Sequence, residues 1–178
     1  MKHLFFAAAL LLVSSCKEET AAPPKLSPIG AANDLAAKSL LQAFYTVNRP
    51  SRPLSVSAAF AAQPAVGSVI AVTGRIGGSK KPLGDFAVLN LAEKSLPNCR
   101  EAGGMPKCPT WWDLCCTELK NKICTVQCKG ADGQLLRTSL RGLGDLKEMS
   151  TITISGKVAI SEDGMLVIDA TQIYVDQP

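Results

Sequence analysis

The stretch from Cys99 to Cys116 constrains this chain more than any other. It holds four of the seven cysteines and both tryptophans, and it lies between segments with the alternating pattern of β-strands. A connection this long inside a domain is uncommon unless it is functional or held by cross-links. In an exported chain, cysteines at such spacings predict disulfides. We therefore predict a disulfide-stapled loop with four candidate cysteines: Cys99, Cys108, Cys115 and Cys116.

The first residues of the chain predict export and a lipid anchor. Residues 1–15 have a positive start, an apolar run from Leu4 to Val13 and small residues at the end, as a secretory signal peptide does. The run is too short to cross a bilayer as a helix. The sequence Val-Ser-Ser-Cys ending at Cys16 resembles the cleavage box of bacterial lipoproteins, which implies lipidation of Cys16. We predict an exported, membrane-anchored lipoprotein facing the periplasm or the cell surface; the alternative is an ordinary secreted protein.

Residues 16–65 predict a tether that contains short helices. Residues 17–30 have no periodicity, which is typical of a flexible linker. Apolar residues then follow helical spacing between residues 37 and 44, and residues 55–62 suit one or two further helical turns. Two interpretations remain open: an amphipathic segment docked on the domain or the membrane, and a loosely ordered spacer, which the composition favours.

Charge and histidine content exclude several function classes. From Val66 to Pro178 there are 13 Lys/Arg and 12 Asp/Glu, a net charge of +1. A nearly neutral domain lacks the basic surface that nucleic-acid binding needs. The one histidine is His3, inside the predicted signal peptide, so the mature chain has no histidine base and no histidine metal ligand. The sequence therefore predicts no catalytic residue, no metal, no cofactor and no enzyme activity.

Residues 66–178 predict an all-β domain. Strand patterns cover residues 69–76, 84–91, 122–129, 135–140, 151–160, 165–170 and 172–175, with a short helix over 143–149. The sequence around Gly74 recurs around Gly156, each glycine lying in mid-strand, where a small barrel bends as it closes. This order predicts an OB-fold-like Greek-key barrel with one short helix; the alternative is a β-sandwich.

Several motifs of the domain resemble a known group of proteins. They are Val-Thr-Gly-Arg-Ile-Gly-Gly after Ala71, Cys-Pro-Thr-Trp-Trp-Asp-Leu-Cys-Cys from Cys108, Thr-Val-Gln with Ala-Asp-Gly, Leu-Lys-Glu-Met-Ser-Thr and the closing Ile-Tyr-Val. Over residues 66–176 these resemble uncharacterised bacterial exported OB-fold-like lipoproteins. In that group a Pro stands at the position of Trp111 and a Tyr at that of Leu114. The resemblance implies the fold and the compartment, and it implies no activity.

The candidate ligand face follows from the usual OB-fold site between two loops. The first loop is positive and the second negative, a polarity that suits a protein or zwitterionic partner better than a polyanion. The tryptophans could stack on a ring, or they could form the small core of the loop. The competing interpretation of the charged residues is a solvated surface. The face comprises Arg75, Lys80, Lys81, Trp111, Trp112, Lys157, Glu162 and Asp163.

We predict that Cys124 and Cys128 do not bond to each other. In an extended strand their Cα atoms are about 13 Å apart, and a disulfide needs about 7 Å or less. Both share the phase of Val126 and are expected to face the barrel interior. Excluding the strained Cys115–Cys116 bond leaves two loop pairings open, Cys99–Cys115 with Cys108–Cys116 or Cys99–Cys116 with Cys108–Cys115.

Three functions are consistent with these observations. The first is a lipid-anchored cell-envelope OB-fold module with a non-catalytic binding or scaffolding role, its partners being the membrane and another envelope protein. The second is a metal-binding or thiol-redox envelope protein acting through the cysteine loop, with copper(I) as the metal suited to thiolates. The third is a binder of single-stranded nucleic acid or oligosaccharide.

Overall fold

The computed structural model describes residues 31–103, 107–160 and 165–176. The predicted signal peptide and Cys16 lie outside these residues. The helices and strands are α1 (Ala31–Gln42), β1 (Leu54–Ser55), α2 (Val56–Ala62), β2 (Val69–Ile76), β3 (Val88–Ala92), β4 (Ile123–Gln127), β5 (Thr151–Ile160) and β6 (Leu166–Val175). Short 3-10 turns cover Trp111–Asp113 and Leu143–Asp145.

Strands β2 to β6 close into a barrel. Strand β2 pairs antiparallel with both β3 and β5, β4 pairs with β3 antiparallel and with β6 parallel, and β6 returns to β5. If the five barrel strands are numbered in chain order, their order around the barrel is one, two, three, five and four, and the fourth pairs again with the first. This is the Greek-key order of the OB-fold. The predicted fold class is therefore confirmed, and closure through β2 and β5 excludes the β-sandwich alternative.

The repeated glycines lie where the barrel bends. At Gly74, where a Cβ would lie 2.6 Å from the main-chain oxygen of Ala92, β2 is paired with β5, and from the next residue, Arg75, it also pairs with β3. At Gly156 the β5–β6 register shifts by one residue, as at a β-bulge. A Cβ at Gly156 would lie 2.3 Å from the main-chain oxygen of Asp169. The absence of a side chain therefore permits the close strand approach that closes the barrel.

Aliphatic side chains from all five barrel strands form the core. Ile76, Leu89, Val126, Ile154 and Ile168 are representative, each with at most 1% of its surface exposed. Cys124, on β4, and Cys128, just after the end of β4, are also fully buried, as predicted. Burial raises the pKa of each of these two thiols to about 12. They therefore behave as small apolar residues rather than as nucleophiles.

The connection from β4 to β5 differs from the prediction. The expected helix over 143–149 is a 3-10 turn, Leu143–Asp145. Gly142, Gly144 and Asp145 all have positive φ, a conformation that cannot continue a right-handed helix. Residues 135–140 form no named strand, although Lys129 and Leu135 make an isolated bridge. Strands β3 and β4 are also shorter than predicted.

Residues 41–62 pack on the barrel. Leu41, Val56 and Ala59 belong to the main core, and β1 pairs in parallel with β2. The buried residues of α2 cover apolar surface that the barrel would otherwise expose to water. The folded unit thus includes residues before Val66, and this part of the predicted tether is a docked segment rather than a free spacer.

Neither α1 nor α2, the two helices within the described residues, is long and apolar enough to cross a membrane.

Glu93 links the barrel to α2. Its carboxylate accepts from the N–H of Ser57 at 2.9 Å, near the start of a helix that Ser55 caps. Burial by itself raises the pKa of Glu93, but hydrogen bonds from Ser57, Ser55 and Lys94 outweigh that effect and hold the pKa below its ordinary value. The ionised carboxylate is thus the form that the fold favours.

We expect Glu93→Gln to lower the free energy of unfolding by about 1–2 kcal/mol at pH 7, because a charge-assisted hydrogen bond becomes a neutral one. A group with a lowered folded-state pKa stabilises the fold above its unfolded pKa, and this stabilisation disappears as the pH falls through the folded-state value. Urea unfolding at pH 7 and pH 3 should therefore show the difference from wild type shrinking in acid. The exposed Glu118→Gln is the control; a deficit of equal size in both variants would contradict the assignment.

Candidate functional site: the tryptophan groove

The cysteine loop is anchored on the turn that follows β2. The N–H of Gly78 donates to the main-chain oxygen of Trp112 at 2.9 Å, and Trp112 Nε1 donates to the oxygen of Lys80 at 3.2 Å. A Cβ at Gly77 would lie 2.7 Å from the same Trp112 oxygen. Glycine in this turn therefore lets the loop approach the barrel closely.

The two tryptophans form the surface of the loop. Their rings meet edge to face, 6.1 Å between centroids and 66° between planes. The guanidinium of Arg100 lies 4.8 Å from the centre of the Trp111 ring, a cation–π contact. Both tryptophans are half-buried. They therefore support the loop and still present aromatic surface.

A groove of about 1290 Å³ adjoins both tryptophans. Its other walls come from Arg49, from residues 141–151 before and at the start of β5, and from Val175 and Asp176 at the end of β6. We call this surface the tryptophan groove. It lies at the barrel end where β2 stops and β5 begins, since Arg75 pairs with Thr151.

The tryptophan groove has mixed charge. Arg141 Nη1 donates to Glu148 Oε2 at 2.8 Å, and a second N–H of Arg141 donates to the other carboxylate oxygen. This bidentate contact lowers the pKa of Glu148 and raises that of Arg141. Arg49 Nε lies 3.6 Å from Asp176. The lining carries four cations and three anions: Arg49, Lys94, Arg141, Lys147, Asp145, Glu148 and Asp176.

The structure brings only part of the predicted ligand face together. Trp111 and Trp112 line the tryptophan groove, and Lys80 contacts Trp112 through its main chain. Arg75 donates through Nη2 to the oxygen of Leu96, just before the cysteine loop, while its buried Nε has no partner among the described residues. Arg75 therefore holds the base of the loop.

The remaining predicted positions lie elsewhere. Lys81 lines a smaller groove of about 240 Å³ with Phe86 and Leu135. Lys157 is exposed on β5, six residues from Thr151 and thus about 20 Å along the strand. Glu162 and Asp163 lie outside the described residues.

Sequence reasoning missed the charged lining of the tryptophan groove. Glu148 falls in the predicted helix over 143–149 and Arg141 lies two residues before that helix, so the prediction did not bring the two side chains together. Arg49 was assigned to the tether. The sequence signal that could have found this lining is the pair of glycines, Gly142 and Gly144, because glycine disfavours a helix there.

The loop cysteines cluster beside this groove. The sulfur atoms of Cys99 and Cys115 are 3.3 Å apart and those of Cys115 and Cys116 are 3.9 Å apart; all three lie within 4.8 Å of one another. Cys99 and Cys108 are buried, whereas Cys115 and Cys116 are exposed. Three thiolates at this spacing could hold a soft metal ion such as copper(I). They could equally form a disulfide after small side-chain rotations.

No protein-family model and no curated protein matches this chain. A chain in the structure of an OBody bound to hen egg-white lysozyme is 13% identical, with a TM-score of 0.38, over 75% of this chain and 99% of that one. A small single-stranded DNA-binding protein from Streptomyces coelicolor is 16% identical, with a TM-score of 0.35, over 64% of this chain and 96% of that one. Likenesses this low do not indicate what this chain binds.

The order of the barrel strands defines the fold class of this protein. The chain contains a closed OB-fold barrel with an additional segment docked on it, and OB-folds are typically binding modules.

Proposed function

We propose that this protein is a lipid-anchored cell-envelope module that binds another envelope protein through the tryptophan groove and carries out no catalysis. The observation that carries the proposal is the groove itself, in which two half-buried tryptophans stand beside a lining of both charge signs. Aromatic anchors with a polar surround are typical of protein-binding surfaces. Four cations and three anions suit a mixed-charge peptide segment better than a polyanion.

The anchor rests on the signal-like residues 1–15 and the lipoprotein-like box at Cys16. A fully extended chain over residues 17–30 would reach at most about 50 Å. An acylated Cys16 would thus keep the barrel close to the membrane surface, where its partner would be another envelope protein.

We expect Cys16→Ala to abolish fatty-acid labelling and to move the protein from the membrane fraction to the soluble fraction, because the thioether site is lost. Metabolic labelling with a fatty acid, followed by fractionation, measures both. Cys124→Ala is the matched control, since that thiol is buried in the barrel and should keep the label. A Cys16→Ala protein that retains label would overturn the anchor.

The binding surface is tested by reversing one charge inside the tryptophan groove and one outside it. Lys147 lines the groove and Lys157 is exposed on β5 beyond it. In native envelopes treated with a cross-linker, Lys147→Glu should reduce partner recovery several-fold, whereas Lys157→Glu should leave it at the wild-type level. Equal recovery from both variants would exclude the groove. Salt-sensitive binding of a labelled oligonucleotide by the purified protein would instead favour a nucleic-acid function.

A second candidate function is supported by the cluster of three loop sulfur atoms. In this alternative the protein binds copper(I), or exchanges disulfides, through the cysteine loop. Anaerobic titration of the reduced protein with copper(I) distinguishes the candidates. One tightly held copper per chain, lost in Cys115→Ser, would favour the metal function over partner binding alone.

A further inference from the structure

The sulfur geometry of the cysteine loop separates two pairings that the sequence leaves open. The sulfur atoms of Cys99 and Cys115 are 3.3 Å apart, closer than those of Cys115 and Cys116. The 3.9 Å separation joins Cys115 to its neighbour Cys116, and a bond between adjacent cysteines is strained. Cys115 therefore has Cys99 as its favoured partner.

Cys108 and Cys116 are then the remaining pair. Once Cys99 pairs with Cys115, whose sulfur atoms are 3.3 Å apart, Cys116 is the one loop cysteine left for Cys108. Cys108 is buried and Cys116 is exposed, so this bridge requires the Cys116 side chain to turn inward towards Cys108. This pairing gives every loop cysteine a partner, whereas a metal site formed by the thiolates of Cys99, Cys115 and Cys116 would not use Cys108.

We propose that the mature protein contains two disulfides, Cys99–Cys115 and Cys108–Cys116, and that they fix the aromatic wall of the tryptophan groove. The thiols of Cys124 and Cys128 stay reduced inside the barrel. The proposal does not depend on what the groove binds.

Each bridge forms by thiol–disulfide exchange with an external disulfide, which is reduced to two thiols. The thiolate of the exposed Cys115 attacks that disulfide and releases its first thiol, which leaves a mixed disulfide on Cys115. The thiolate of Cys99 then attacks the Cys115 sulfur and releases the second thiol. Two protein thiols thereby lose two protons and two electrons, and the external disulfide gains them. Cys115 and Cys116 are exposed whereas Cys99 and Cys108 are buried, so the exposed cysteine of each pair is the one that an external disulfide can reach first.

The bridges would act on the tryptophans through short contacts. The N–H of Cys99 donates to the oxygen of Trp111 at 3.2 Å, and Trp111 begins the 3-10 turn that also holds Trp112. A Cys99–Cys115 bond would join the residue that is hydrogen-bonded to Trp111 to a residue two positions beyond this turn. Reduction should therefore release the wall of the groove while leaving the barrel closed.

The pairing is tested with the full chain exported into an oxidising compartment. Cys99→Ser should leave Cys115 as the single reactive loop thiol, and Cys108→Ser should leave Cys116. Each variant is alkylated at acidic pH under denaturing conditions and digested with trypsin, and fragment ions that separate Cys115 from Cys116 locate the label. Labels on Cys116 in the first variant and on Cys115 in the second would overturn the proposal in favour of the other pairing.

The wild-type protein provides an independent readout if a variant misfolds. Without reductant, the tryptic peptide ending at Arg100 should remain linked to the peptide from Cys108 to Lys120, and electron-transfer fragmentation should assign Cys99 to Cys115. Cys124 and Cys128 should be alkylated only after unfolding. Alkylation of all four loop cysteines in the unreduced protein, or a metal retained by them, would refute the disulfides.

Discussion

Gly156→Ala is expected to lower the free energy of unfolding by about 3 kcal/mol, a large share of the 5–15 kcal/mol that holds a typical domain. The added Cβ would lie 2.3 Å from the main-chain oxygen of Asp169 and 2.8 Å from Cγ2 of Ile168. A main-chain oxygen cannot rotate away as a flexible side chain can, so β5 and β6 must separate at the bulge. Insertion of a carbon into a packed site costs about 1–3 kcal/mol or more.

The matched control is Gly84→Ala. A Cβ at Gly84 would meet no atom within 4 Å among the described residues, and no positive φ restricts this position. The control should change stability by no more than about 0.5 kcal/mol. Urea unfolding followed by far-ultraviolet circular dichroism measures both variants. Equal stabilities for the two would show that Gly156 does not set the closure of the barrel.

Much of the barrel could be predicted because its strands carry two-residue periodicity and its bends carry glycine. The first and fourth barrel strands were predicted at their observed bounds, residues 69–76 and 151–160. The repeated glycines indicated closure, since a glycine in mid-strand has little other use. The alternation of apolar and polar residues was sufficient to predict a strand wherever one face of that strand is buried.

The docked segment and the tryptophan groove could not be predicted in the same way. Leu41, Val56 and Ala59 enter the core through contacts with residues far along the chain, and no local periodicity reports such contacts. The groove likewise joins Arg49, Trp112 and Asp176, which only the closed barrel brings together. The tryptophans were noticed for their chemistry, whereas their charged neighbours lay in segments assigned to a tether and a helix.

The cysteine loop provides the second large effect. Cys99→Ser/Cys115→Ser is expected to lower the free energy of unfolding by about 3 kcal/mol in the oxidised protein, because a bridge between these residues closes a loop of roughly 17 residues and restricts the unfolded chain. Urea unfolding with and without a phosphine reductant measures it. Reductant should destabilise the wild type more than the double variant, which retains only the Cys108–Cys116 bridge.

Tryptophan fluorescence separates the loop from the barrel in the same titration. In the double variant the emission should shift to longer wavelength below the main transition, since Trp111 loses the fixed Cys99 N–H contact of 3.2 Å and becomes more hydrated. Circular dichroism should still report a single later transition, because the barrel pairing of β2 with β5 does not involve the loop. A wild-type protein whose stability and emission are both unaffected by reductant would show that the loop is held without any bridge, by contacts such as those of Trp112 with Gly78 and Lys80.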